Sequence, residues 1–317
     1  MIKIFKIKSF AYTPFNNQKD LEYLKSKGLI LTESPGEADI LISQNFRHLK
    51  KYFWQYRRKK AFLVWTFEPR FDTSFRSSKS ILFGLHKCYF MNVYTGDVFT
   101  SAHTFHSDKI NRQLDPLSPD FQFKHRKIVA LMSYFKGEHA TPLYRNGRDI
   151  DLIKMRSRIA LEGYAGGIID IYGKGWPQGL AIEDSRSGDW PTRKAEILEN
   201  YSFNLCFENT IAHNYITEKI WDSIENYCLP IYYGEGTGVY DVFPKNSFID
   251  YADFKHPEEL FNFIKKMKSD EFKLRLNSCI DIYNSISKQG ESFYWSRRKE
   301  SLDKIISNFN KIIYTSV

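Results

Sequence analysis

Short apolar runs alternate with longer amphipathic stretches along most of the 317 residues. Runs rich in Ile, Val, Leu and Phe predict strands over 2–7, 38–43, 61–66, 88–91, 128–132, 168–172, 203–207 and 229–233. Apolar residues recurring every three or four positions predict helices over 18–27, 46–59, 149–164, 192–200, 215–227, 258–268, 270–287 and 293–311. Near-continuous apolar strands between helices predict parallel sheets covered on both faces. The alternation weakens between Thr95 and Lys127, where Pro116 and Pro119 mark an irregular connection. A fresh strand–helix series starts at Ile128. The pattern therefore predicts an α/β protein with domains 1–125 and 126–290, and a last helix in 291–317 that packs back on the first domain. Ligands in such folds bind at the carboxyl ends of the strands, so a cleft between the domains is the expected site.

Composition narrows the classes. Hydrophobic residues make up 42% and charged residues 26%, an ordinary globular balance that argues against disorder outside short loops and the last few residues. Lys and Arg number 46 against 37 Asp and Glu, and the resulting +9 charge favours anionic partners. Nucleotide diphosphates, lipid phosphates and nucleic acid all qualify. The sequence has no RRM, KH or helix-turn-helix signature, so a basic nucleic-acid-binding protein is the alternative of a different class. Cys88, Cys206, Cys228 and Cys279 form no C-x-x-C pair and no zinc spacing. Cys206 and Cys228 lie inside apolar runs as small hydrophobes, which fits a reducing compartment. The first residues alternate apolar and basic, as a first strand does and a signal peptide does not. No apolar run approaches the ~20 residues needed to span a bilayer. The expectation is a cytosolic protein, or one peripheral on the cytosolic face of a membrane.

The stretch that carries most chemistry begins Phe203-Asn-Leu-Cys-Phe-Glu-Asn-Thr, passes Ile211-Ala-His-Asn and continues Tyr215-Ile-Thr-Glu-Lys-Ile-Trp-Asp. It reads as a buried strand, a polar loop and a helix start, with Asn214 as the expected N-cap. On that helix Tyr215, Glu218, Lys219 and Asp222 share a polar face, and Ile216, Ile220 and Ile224 face inward. A helix start after a strand is an anion site, because its free N–H groups point outward. Lys219 adds a full positive charge there, and Glu218 can accept hydrogen bonds from vicinal hydroxyls. A plain capped surface turn with a Glu/Lys pair is the other reading of the same residues.

This stretch resembles the signature of the α1,3/4-fucosyltransferase family (glycosyltransferase family 10). Leu229-Pro-Ile-Tyr-Tyr-Gly and Phe243-Pro-Lys-Asn-Ser-Phe-Ile-Asp downstream resemble further family segments, and the likeness runs from Tyr201 to about Phe254. The resemblance implies a GT-B fold: two Rossmann-like domains with parallel sheets facing an interdomain cleft. It implies an inverting transfer of fucose from GDP-fucose to a glycan or glycolipid hydroxyl, without a metal or other cofactor. Asn209, Tyr215, Glu218 and Lys219 would line the donor site, with Lys219 on phosphate and Glu218 on hydroxyls. Arg158, in Met155-Arg-Ser-Arg-Ile, matches the family's phosphate-binding arginine by counting back from the next strand; Arg156 is the competing choice. Glu68, in Val64-Trp-Thr-Phe-Glu-Pro-Arg, corresponds to the general base, although the family's Ser between Glu and Pro is missing. Another nucleotide sugar as donor remains open.

Other segments read more simply. Gly173-Lys-Gly-Trp-Pro-Gln-Gly lacks P-loop spacing and suits a turn after a strand. Asp149 and Asp151 have a D-x-D spacing, but they stand at an expected helix start, where acidic residues cap. Gly234-Glu-Gly-Thr-Gly suits a tight turn or a close approach to a ligand. The basic and aromatic residues of 47–60 suit a helix with Leu49, Phe53 and Tyr56 inside and a solvated basic face, which is also a surface for peripheral membrane contact.

Overall fold

The predicted apolar runs become the strands of two parallel sheets in the computed structural model, which describes residues 1–8, 10, 14–56, 59–102, 107–123, 125–137, 141–184 and 188–316, without the side chains of 107, 315 and 316. Arg57 and Arg58, part of the predicted second helix, lie outside the described residues. The first sheet holds β1 (Ile2–Lys6), β2 (Leu29–Leu31), β3 (Ile40–Ser43), β4 (Ala61–Trp65), β5 (Ser78–Ile81) and β6 (His86–Met91), in the order β2-β1-β3-β4-β6-β5. Every pairing is parallel except β5 with β6. The second holds β7 (Ile128–Leu131), β10 (Ile169–Tyr172), β11 (Phe203–Leu205), β12 (Leu229–Tyr232) and β13 (Ile249–Asp250), all parallel, in the order β10-β7-β11-β12-β13. Between β7 and β10, β8 (Tyr144–Arg145) and β9 (Arg148–Asp149) form a separate hairpin.

The helices are α1 (Gln18–Ser26), α2 (Phe46–Tyr56), α3 (Ile153–Ala165), α4 (Trp190–Leu198), α5 (Glu218–Glu225), α6 (Pro257–Lys266), α7 (Ser269–Ser287) and α8 (Gly290–Ser316). In the first sheet alternate residues feed two apolar layers. Leu41, Phe62, Val64, Cys88 and Phe90 meet Leu49 and Phe53 of α2. Ile4, Ile42, Leu63, Trp65 and Met91 meet Leu24 of α1 and Leu302, Ile305, Phe309 and Ile312 of α8. Arg298 of α8 is ion-paired with the buried Asp20 of α1, and Tyr23 donates to Asp303 at 2.8 Å. Pro230 lies in β12, an interior strand, where proline normally removes a ladder bond. Its neighbours Leu229 and Ile231 bond towards β11, so its missing N–H points to the other side, where β13 pairs only from Ile231 onward.

Residues 1–101 with 295–317 form one compact unit, and 102–294 form the other. The division falls at 101/102 rather than at 125, because residues after 106 are tied to the second unit. The N–H groups of Leu114 and Leu117 donate to Asn284 and Asn277, each at 2.8 Å. Lys109, 3% exposed, sits between Asp222 (2.8 Å) and Glu225 on α5. Lys194 reaches the other Asp222 oxygen at 2.5 Å. Burial raises the Asp222 pKa, but Lys194 and Lys109 outweigh it and hold the carboxyl below its ordinary value. A group depressed on folding stabilises above its unfolded pKa, and that stability is lost as pH falls through the carboxylate range. Asp222→Asn should therefore lower the urea midpoint at neutral pH and flatten its fall below about pH 4. Equal acid slopes for wild type and variant would mean that the buried pair contributes nothing to acid lability.

Candidate functional site

Counted within its own unit, each sheet has the strand order 2-1-3-4-5, with β5 added at the edge of the first. In that order the crossovers leave in opposite directions on either side of the first strand, which opens a crevice at the carboxyl ends of the first and third strands. In the second unit these are β7 and β11. The chain after β11 is fixed there by the backbone before α3: Leu152 N–H donates to the Asn209 carbonyl (3.0 Å), and Ile211 N–H donates to the Ile150 carbonyl (2.8 Å).

Glu208 is the centre of this region and is 1% exposed. A carboxylate so buried needs donors on both oxygens. One oxygen accepts from Thr217 N–H (2.7 Å), Thr217 Oγ1 (2.8 Å) and Tyr232 OH (3.4 Å). The other accepts from Lys219 Nζ at 2.8 Å. Lys219 also donates to Thr217 Oγ1 (2.6 Å) and lies 3.6 Å from Glu218. Burial lowers the Lys219 pKa, but Glu208 and Glu218 more than reverse this, and the ammonium stays charged. Burial likewise works against the Glu218 carboxylate, and Lys219 and Lys194 hold it well below the usual range. On the other side of the same loop Arg156, 5% exposed, donates to the Phe207 carbonyl (2.8 Å) and to Asn209 Oδ1 (2.7 Å). Two cationic side chains thus flank Phe207-Glu208-Asn209. Asn204 of β11 donates to Ser223, whose hydroxyl bonds the Lys219 carbonyl, and this fixes α5 to the sheet.

The structure brings Asn209, Tyr215, Glu218 and Lys219 into this one region of the second unit. Tyr215, 4% exposed, belongs to the loop before α5 rather than to the helix. The N-cap is Thr217, not Asn214, which sits in a left-handed turn with φ 62°. Ile216, Ile220 and Ile224 are all buried, as their spacing predicts. Arg158 makes none of these hydrogen bonds, although its charge reaches Tyr251, whose ring packs on Phe207. Arg158 lies on the exposed face of α3, paired with Glu162 at 2.6 Å. The helical twist turns Arg156 inward instead, and counting along the chain does not register that difference. Glu208 is absent from the site expected from sequence, and Arg156 stood there only as the alternative to Arg158. Both stood in the quoted motifs, and burial is what separates them from their neighbours.

Glu68 belongs to the first unit, just beyond the carboxyl end of β4. It is half-buried, its N–H donates to Thr66 Oγ1 (3.0 Å), and its carbonyl accepts from Phe71 (3.1 Å). The next carbonyl, that of Pro69, accepts from Tyr94 OH at 3.3 Å, so the turn that carries Glu68 is held from two sides. Asp149 and Asp151 act locally: Asp149 accepts from Leu143 and Asp151 N–H groups, and Asp151 accepts from Ile153 at the start of α3. Gly173 (φ 121°) turns the chain after β10 against β7, where an added Cβ would lie 2.4 Å from the Met132 carbonyl oxygen. Gly234 is as tightly constrained, with Asp250 2.4 Å from the place of a Cβ.

Residues 160–276 match the family model described as glycosyltransferase family 10 (fucosyltransferase), C-terminal part. An alpha-(1,3)-fucosyltransferase FucT of Helicobacter pylori is 34% identical over 123 residues, covering 38% of this chain and 24% of the relative. A GDP-fucose protein O-fucosyltransferase 3 of Homo sapiens is 32% identical over 149 residues, covering 47% of this chain and 29% of the relative. The aligned stretches thus span less than a third of these relatives' own lengths. A crystal structure of an alpha1,3-fucosyltransferase shares the fold, with a TM-score of 0.51, 18% identity, and coverage of 95% of this chain and 90% of that one.

Proposed function

We propose that this chain, a member of glycosyltransferase family 10 through residues 160–276 and of GT-B class, moves fucose from GDP-fucose to an acceptor hydroxyl. The observation that carries the reading is the Glu208–Thr217–Lys219 arrangement beside Arg156 at the carboxyl ends of β7 and β11. It sets two cationic side chains, balanced by Glu208 and Glu218, where a doubly wound sheet binds anions. The likeness to an alpha-(1,3)-fucosyltransferase and to a GDP-fucose protein O-fucosyltransferase supports fucose and its GDP-linked donor.

In this reading the leaving GDP gains negative charge on its diphosphate. Lys219 and Arg156, already held in place by their protein acceptors, stabilise it. Arg156 takes the role first given to Arg158, because it is the arginine beside Asn209. Glu218 receives hydrogen bonds from hydroxyls, and Asn209 and Tyr215 complete the donor region. Glu68 takes the acceptor proton as the hydroxyl attacks the anomeric carbon, in one inverting displacement. An α1,3 or α1,4 linkage to a glycan is the acceptor reading that goes with this family.

A thermal-shift panel tests the donor. A ligand that binds only the native state stabilises it by about 2.7 kcal/mol at a hundred times its Kd. GDP should raise the melting temperature more than UDP, CDP or dTDP does. A larger shift with UDP would reject GDP-fucose and leave a transferase that uses another nucleotide sugar.

A further inference from the structure

The hairpin of β5 and β6 ends in a turn made of the wrong residues for water. The last cross-strand pair is Ile81 with His86, and Leu82-Phe83-Gly84-Leu85 connects them. Hairpin turns with positive φ are normally filled by Asn, Asp or Gly. Here Leu82 (φ 51°) and Phe83 (φ 57°) take that conformation ahead of Gly84 (φ 89°), although large side chains resist it. Leu82 packs inward on the cluster of Phe53 and Ile81. Phe83 is 100% exposed and Leu85 is 73% exposed. The turn is therefore anchored at its base, and it presents two large apolar groups outward.

The surroundings are basic. Lys79 of β5 and Lys87 of β6 are exposed on the hairpin itself. His86 bonds the Lys60 carbonyl at 3.0 Å, which places the start of β4 and the exposed Lys59 beside the turn. The last turn of α2 reaches the same edge, because Tyr56 packs in the cluster that holds Leu82; Trp54 on that turn is 60% exposed. The carboxylates further along this edge are engaged: Asp39 accepts from Lys3 N–H, and Glu37 accepts from Thr32.

We propose that this tip docks the protein on an anionic lipid surface, with Phe83 and Leu85 entering the boundary of headgroups and acyl chains and Lys59, Lys79 and Lys87 meeting lipid phosphates. Apolar groups flanked by lysines fit such a surface. A protein partner fits less well, since lysine is depleted where proteins bury each other. A single-stranded nucleic acid needs a basic groove with aromatic platforms, and a convex tip offers none. β4 and β6 run parallel, so the tip lies at the amino end of the sheet and the Glu68 turn lies at its carboxyl end. Five or six residues of strand separate them by about 15–20 Å. A lipid surface at the tip leaves the Glu68 end clear, whatever the donor is.

Vesicle co-sedimentation of the full chain tests this, with phosphatidylcholine vesicles and with vesicles that also contain phosphatidylglycerol. The protein should pellet with the anionic vesicles and release in high salt. Phe83→Ser with Leu85→Ser should weaken binding roughly tenfold or more. Lys79→Glu with Lys87→Glu should abolish the preference for phosphatidylglycerol. Both side-chain pairs are exposed, so unchanged circular dichroism and melting temperature are expected and are checked first. The proposal is overturned if the wild type does not pellet with anionic vesicles, or if the Phe83/Leu85 variant pellets equally well. It is also overturned if the tip substitutions instead dissociate a dimer or release an oligonucleotide while vesicle binding is unaltered.

Discussion

Glu68→Gln should lower turnover by roughly 10²–10⁴, the usual contribution of a general base. The amide keeps the shape of the carboxylate and removes its capacity to take a proton. The turn itself is held by backbone and by neighbours, through Thr66 Oγ1, the Phe71 N–H and the Tyr94 hydroxyl on Pro69. The fold should therefore tolerate the change. GDP binding should be unaltered, because the proposed donor residues all belong to the other unit. Transfer rates and GDP titration must be measured on the same preparation. Wild-type turnover in Glu68→Gln would leave Glu68 as a turn residue and require another base.

Lys219→Ala should act on both binding and stability. It removes a charge proposed to touch the diphosphate, at a cost of about 1.5–3 kcal/mol in GDP affinity. It also strips the buried Glu208 of its cation, and breaking a buried pair costs about 3–5 kcal/mol of folding stability. The two effects separate in the double variant Lys219→Ala with Glu208→Gln. A neutral amide can still accept from the Thr217 N–H, so much of the stability should return while the loss in GDP affinity persists. Urea midpoints and calorimetric titration read the two quantities independently. Normal GDP affinity in Lys219→Ala would mean that the donor site lies elsewhere. Restored affinity in the double variant would show that the single change acted only through Glu208.

The pattern of apolar residues made much of this fold legible, and its gaps have physical causes. Every strand predicted from an apolar run is present. The strands it missed are short or polar: β2 is Leu29-Ile-Leu, β5 is Ser78-Lys-Ser-Ile at a sheet edge, and β8, β9 and β13 have two residues each. Three residues are too few to show a period, and an edge strand has one side in water. The start of α5 moved from Asn214 to Thr217 because Asn214 took a left-handed turn instead, an option open to asparagine. Arg158 and Arg156 differ by two helical positions, about 200° of rotation, so counting could match either while only one points inward. Glu208 had no signal of its own. Its role exists only once β12 supplies Tyr232 and the start of α5 supplies Thr217 and Lys219.

The return of α8 has a consequence for the newborn chain. Phe309 stacks on Phe15, which meets Trp65, and Leu302, Ile305 and Ile312 close the same layer. On the ribosome, the residues that begin this layer emerge nearly three hundred positions before those that complete it. The unit formed by 102–294 is continuous and can fold as it appears, while the first sheet waits with one apolar face open. Nascent chains stalled before residue 302 should carry that face uncovered and open to chaperones.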